Sequence, residues 1–147
     1  MILTTFRQLI MNLSSNITIK TMTGSTSQEN GGNILNNMRP FYVGIGTGND
    51  AVTESDYKLS NALNISLTAR SQSIGGNVNK YTRFATVATT YTNNTGNAVT
   101  VKEIGIYVKY STESSAIGFY LTRELLDTPV TIGPGESYTF TAVIDIK

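Results

Sequence analysis

Residues 138–146 read Tyr138-Thr-Phe140-Thr-Ala142-Val-Ile144-Asp-Ile146, and their strict alternation decides the fold class. Side chains two apart lie on one face of an extended strand, so a period of two marks a strand with one buried and one solvated face. The pattern recurs upstream. Leu63, Ile65, Leu67 and Ala69 alternate with Asn64, Ser66, Thr68 and Arg70; Phe41, Val43 and Ile45 alternate, as do Ile117, Phe119 and Leu121. Turn signals separate the runs: Gly75-Gly76-Asn77, Asn93 to Asn97, Ser111 to Ser115, and Gly133-Pro134-Gly135. Val78 to Tyr91 is rich in Thr and Tyr, which suit an extended chain.

One run breaks its own rule. Val99 and Val101 share one parity, whereas Ile104, Ile106 and Val108 share the other. A strand cannot change faces without an irregularity, so the spacing predicts a β-bulge or break near Lys102-Glu103. The total is seven or eight short strands with frequent turns and no interleaved helices. That pattern specifies an all-β fold, an antiparallel β-sandwich of jelly-roll or immunoglobulin-like type.

The N-terminal region reads differently. Ile2, Leu3, Phe6, Leu9, Ile10 and Leu13 fall near helical spacing, and Thr5 with Gln8 resembles a capping box. Asn16 to Met22 reads as a short strand, and Thr23 to Asn33 as a polar Gly/Ser/Asn-rich loop or linker. The expected organisation is therefore a helical or extended arm, short strand and linker over residues 1–37, followed by a sandwich domain over 38–147. Met1 to Leu13 lacks the basic start and small-residue cleavage site of an export signal.

Composition narrows the chemistry. The 147 residues contain no cysteine and no histidine, so thiol nucleophiles, thiolate metal sites and imidazole bases are all missing. Net charge is +1 and only 14% of residues are charged, without a basic run to track phosphates. No nucleic-acid partner is expected, and no stretch of 18 or more apolar residues suggests membrane insertion. Neither catalytic residues, nor a cofactor, nor a metal ligand set emerges from the sequence.

Three local patterns carry alternatives. Gly46-Thr-Gly48-Asn-Asp-Ala51 matches G-x-G-x-x-A, but a dinucleotide site needs a helix and a parallel strand after it. The glycines are read instead as permitting a tight turn at a strand end. Asp50, Glu54 and Asp56 place three carboxylates close together without an EF-hand pattern, and Thr53 with Asp56 looks like the start of a helical turn. Arg123-Glu124 interrupts an apolar stretch; it reads as an exposed edge or salt-bridged strand end, or as a contact between subunits, where arginine is enriched. The candidate partner-contact residues are thus Ile2, Leu3, Phe6, Leu9, Ile10, Leu13 and Arg123.

FYVGIGTGNDAVTESDYKL (Phe41 to Leu59) and EIGIY (Glu103 to Tyr107), followed by YLTRELLDTPVTIGPGESYTFTAVIDI (Tyr120 to Ile146), resemble a widespread group of small bacteriophage structural proteins. The likeness spans residues 41–146, and the order of EIGIY before GPGES is its most specific part. It implies a non-enzymatic virion component, in the tail or baseplate or on the capsid as a decoration or head-fibre protein. Its partners would be other virion proteins and copies of itself, with a host-surface glycan as a further candidate. GPGESYTFT alone also resembles the closing strands of immunoglobulin-like modules, which keeps a carbohydrate- or receptor-binding module as the alternative.

Overall fold

The structure is a computed structural model describing residues 1, 3, 16–30, 41–63, 70–73, 85–111 and 116–144. These hold eight strands and no helix: β1 (Asn16–Lys20), β2 (Thr26–Asn30), β3 (Phe41–Gly46), β4 (Arg70–Ser73), β5 (Ala85–Thr92), β6 (Val99–Ser111), β7 (Ala116–Ile132) and β8 (Ser137–Ile144). Every pairing is antiparallel. One three-stranded sheet has the order β3-β6-β7, a second the order β4-β5-β8, and β1 with β2 forms a hairpin. The protein is an all-β sandwich, as the alternation predicts.

The two larger sheets bury their facing sides against one another. Val43, Ile45, Val101, Ile106, Phe119 and Leu121 from one sheet meet Val87, Tyr91 and Phe140 from the other. Phe140 is buried and Ala142 half-buried, while Thr139, Thr141 and Val143 are exposed, so the two-residue rhythm holds over residues 139–143, and Tyr138, in phase with Phe140, is exposed. On the solvated sides, hydroxyls stand where many proteins place charges. Thr90 bonds Thr139 at 2.8 Å, Thr92 bonds Ser137 at 2.8 Å, and Thr100 bonds Thr131 at 3.0 Å across neighbouring strands.

The chain crosses from β5 to β6 and back from β7 to β8 at the same end of the sandwich. Asn93, fully buried, ties the two crossings together. Its amide donates to Asn97 O at 2.8 Å and Ile132 O at 2.9 Å, and its oxygen accepts from the Thr95 backbone and hydroxyl. Its own backbone bonds Glu136 and Gly135. The turn at residues 93–97 is thus held by a buried amide. The turn at residues 133–136 uses Gly135 at φ 77°, a left-handed conformation that a Cβ would strain.

Two irregularities shape β7. Val101 pairs with Val130 but Glu103 pairs with Leu125, so Leu126 to Pro129 stand opposite Lys102 alone. The break expected near Lys102-Glu103 is therefore present, with the surplus chain in the partner strand, where Pro129 has no N–H to offer a ladder. The second comes where Ile106 pairs with Thr122 but Tyr107 pairs with Tyr120, leaving Leu121 as an extra residue. Thr122 Oγ1 accepts the Ile106 N–H there at 3.1 Å.

One expectation changes. The polar stretch from Thr23 contains a strand: β2 pairs residue by residue with β1 after a turn through Gly24, at φ 87°. Polar side chains do not preclude a strand whose backbone is paired and whose surface is solvated. Of the two forms expected for the arm, helical or extended, the described Met1 and Leu3 take the extended one. Leu3 N donates to Leu121 O at 2.9 Å and Arg123 N to Met1 O at 3.2 Å, adding the chain start to the outer edge of β7. The helical spacing through Phe6, Leu9, Ile10 and Leu13, and the strand read from Asn64 to Ala69, lie outside the described residues. Both Leu3 and Ile19 are buried within the body, Ile19 in the core between the sheets.

Candidate functional site

The outer face of the β3-β6-β7 sheet is where the sequence's unusual residues meet. Facing strands place Gly44 opposite Gly105 and Gly46 opposite Glu103. With no side chains at Gly44 and Gly105, the Tyr120 ring comes close to both; a Cβ on Gly105 would come within 2.9 Å of the ring and 2.6 Å of Thr122 O. At Gly46 and Gly48 a Cβ would sit 2.5 Å from Glu103 Oε1. Neither of these two glycines has a positive φ. They are needed for room, so the turn-forming role read from the sequence is corrected: GIGTG is a receptor for a carboxylate.

That carboxylate, on Glu103, is fully buried. It accepts backbone N–H groups from Gly48 at 3.2 Å, Ser60 at 3.0 Å and Asn61 at 2.8 Å, and Arg123 Nε at 2.9 Å. Four donors satisfy a buried charge that would otherwise be prohibitively costly. The segment from 47 to 61 is wrapped around Glu103 as a result. Its return is fixed to β3 by Thr47 N to Asn61 O at 2.9 Å and Leu63 N to Ile45 O at 3.0 Å.

Arg123 is the second half of this latch. It is 2% exposed and bridged to two carboxylates, so of the two plain readings of Arg123 the exposed edge is corrected and the salt-bridged one is what the structure has. Phe119 and Leu121 face the core between the sheets, and unbroken alternation would send Arg123 there too. The extra residue at Leu121 turns it to the Glu103 side, opposite Gly105. Its Nη1 reaches Asp56 Oδ2 at 2.5 Å and its Nη2 reaches Asp50 O at 3.0 Å. Every arm of the fork is thereby engaged within the chain. Burial alone would lower the Arg123 pKa, but hydrogen bonds from its group to Asp56 and Glu103, with their charges, hold it above the ordinary value. Burial likewise pushes Asp56 up, and this is outweighed by the Thr53 backbone and hydroxyl bonds and by Arg123, so its pKa ends below the ordinary value.

Thr53 and Asp56 close a single turn, with Asp56 N bonded to Thr53 O at 3.2 Å and Thr53 Oγ1 to Asp56 Oδ1 at 2.7 Å. The chain leaves that turn without forming a helix. Asp50 accepts the Ser60 hydroxyl at 2.7 Å while Asp56 faces Arg123, and among the described residues no three carboxylates gather to hold a metal.

Beside the latch runs a tyrosine row. Tyr42 stacks on Tyr107 and Tyr107 meets Tyr120, both at 5.2 Å between centroids, with Leu3 and Leu59 packed over them. Burial, with Tyr42 alongside, pushes the Tyr107 hydroxyl up to about 12; burial raises Tyr120 further, helped by Tyr107 and Glu103. Leu3 is thus a contact of its own domain. Ile2, Phe6, Leu9, Ile10 and Leu13 lie outside the described residues.

Sequence reasoning missed Glu103 as the centre of this face. Its signal was a carboxylate between Val101 and Ile104 in a strand whose two parities are both apolar, a position water cannot reach. Above Arg123 opens a cleft of about 430 Å³ walled by Lys20, Tyr57, Lys58 and Ser60. Compared with protein-family models, curated proteins and solved structures, the chain finds no match.

Proposed function

We propose that this chain is a structural subunit of a bacteriophage particle, in the tail or baseplate or on the capsid surface as a decoration or head-fibre protein. It works in the virion through contacts with copies of itself and with other particle proteins, and carries out no catalysis. One observation carries the reading. The segments resembling small phage structural proteins, far apart in sequence, converge on the latch: Gly44 to Gly48 and Asp56 to Leu59 from the first, Glu103 to Tyr107 from the second, Tyr120 and Arg123 from the third. That convergence supports reading the pattern as a requirement of this fold. Its charged groups are bonded to one another inside the chain, as suits a part whose task is to keep its shape.

The test is mass spectrometry of purified particles, with labelled antibody to place the chain on them. A fixed, symmetric copy number at one station is the expected result. Its absence from intact, infectious particles overturns the proposal.

A further inference from the structure

The cleft above the latch adds two lysines that the latch does not use. Lys20 and Lys58 are exposed, and neither has a carboxylate partner among the described residues. Both ammonium groups gather at the Tyr57 ring, Lys20 Nζ 4.1 Å and Lys58 Nζ 5.7 Å from its centroid. An exposed ammonium over an aromatic face gains only about 0.5–1 kcal/mol, so both remain open to an anion. Tyr57 is held in place by the β1–β2 turn, where Gly24 packs beside it.

The rest of the lining selects among anions. Asp50 is exposed at the rim and bonded to the Ser60 hydroxyl, and Asp56 lies deeper against Arg123. A phosphate polymer would set its repeated charges against these acids. A ligand with one carboxylate and many hydroxyls would not, because its hydroxyls can donate to Asp50. The half-buried Tyr57 ring offers a flat apolar surface of the kind that packs against a sugar face, and about 430 Å³ lies within the usual range for small-molecule sites. We infer that this cleft binds a carboxylated saccharide, with Lys20 and Lys58 on the carboxylate, Asp50 and Ser60 on ring hydroxyls, and Tyr57 against the ring. This goes beyond the structural role and stands whether or not the chain belongs to a particle.

Titration of the full chain, followed by calorimetry and ligand-observed NMR, tests it with N-acetylneuraminic acid, glucuronic acid, the methyl ester of each, and inorganic phosphate. The free acids are expected to bind about tenfold more tightly than the esters, with affinity falling as salt rises. Lys20→Gln and Lys58→Gln should each weaken binding by about tenfold and leave the thermal midpoint unchanged, since both side chains are exposed. Three results would each overturn the inference: no saturable binding of either acid, binding of phosphate as tight as that of the acids, or unchanged binding in both lysine variants.

Discussion

The two sides of the β3-β6-β7 sheet are built on opposite principles. The inner side meets the second sheet through aliphatic and aromatic side chains, held by non-directional burial. The outer side is held by a few directional bonds converging on Glu103 and Arg123, with glycines clearing the space. Burial tolerates substitutions of similar volume, whereas a satisfied buried charge tolerates almost none. Equal-sized changes on the two sides should therefore have unequal consequences.

The largest effect is expected from Arg123→Leu, which leaves Glu103 charged and buried with its cation removed. Breaking such a pair costs about 3–5 kcal/mol, enough to unfold a domain of ordinary stability. Arg123→Lys should recover only part of this, because one ammonium cannot serve Glu103, Asp56 and the Asp50 carbonyl together. Urea unfolding of the three proteins measures the series. A loss below about 1 kcal/mol for Arg123→Leu would remove the distinction between the two sides.

Gly46→Ala comes next. The added methyl meets both the Glu103 carboxylate and the Asn61 carbonyl, 2.6 Å away, and backbone cannot swing aside as a side chain can. A destabilisation of about 1–3 kcal/mol is expected by the same unfolding measurement. On the opposite side, Ile106→Val removes one methylene from a fully buried position and should cost only about 0.5–1.5 kcal/mol. If Ile106→Val proves costlier than Gly46→Ala, the outer face is the more tolerant and the comparison reverses.

The inner side was legible in the sequence for a physical reason. Burial of one strand face imposes a period of two, and the parity break between Val101 and Ile104 exposed even the irregularity. The outer side was not legible, because no period governs it. Whether Arg123 pointed between the sheets or toward Glu103 depended on one surplus residue at Leu121, which local patterning does not reveal. The glycines of GIGTG were visible as glycines, but the group they make room for stands more than fifty residues away in the chain. Likewise Asn93 was visible as a turn residue, while its role in joining two crossings required knowing where residue 132 lies. Long-range polar contacts leave single residues as their trace, and a single residue has many readings.

Acid provides the gentlest probe of the same contrast, because the latch contains a carboxylate, Asp56, whose pKa folding lowers. The Asp56 pKa is lowered in the folded chain relative to its ordinary 3.8, so folding favours the carboxylate over the acid. The stabilisation it contributes is complete above 3.8 and is lost as pH falls through the lowered folded value. Asp56 is partly open to water, and screening keeps its share small beside that of the fully buried Glu103–Arg123 contact. Unfolding free energy measured from pH 5 downward should therefore decline more steeply in the wild-type chain than in Asp56→Asn, whose side chain does not titrate. Among the described residues the inner core holds no carboxylate, so Ile106→Val should shift the whole curve without changing its slope. If Asp56→Asn kept the wild-type slope, Asp56 would be bonded to Arg123 without being energetically coupled to it.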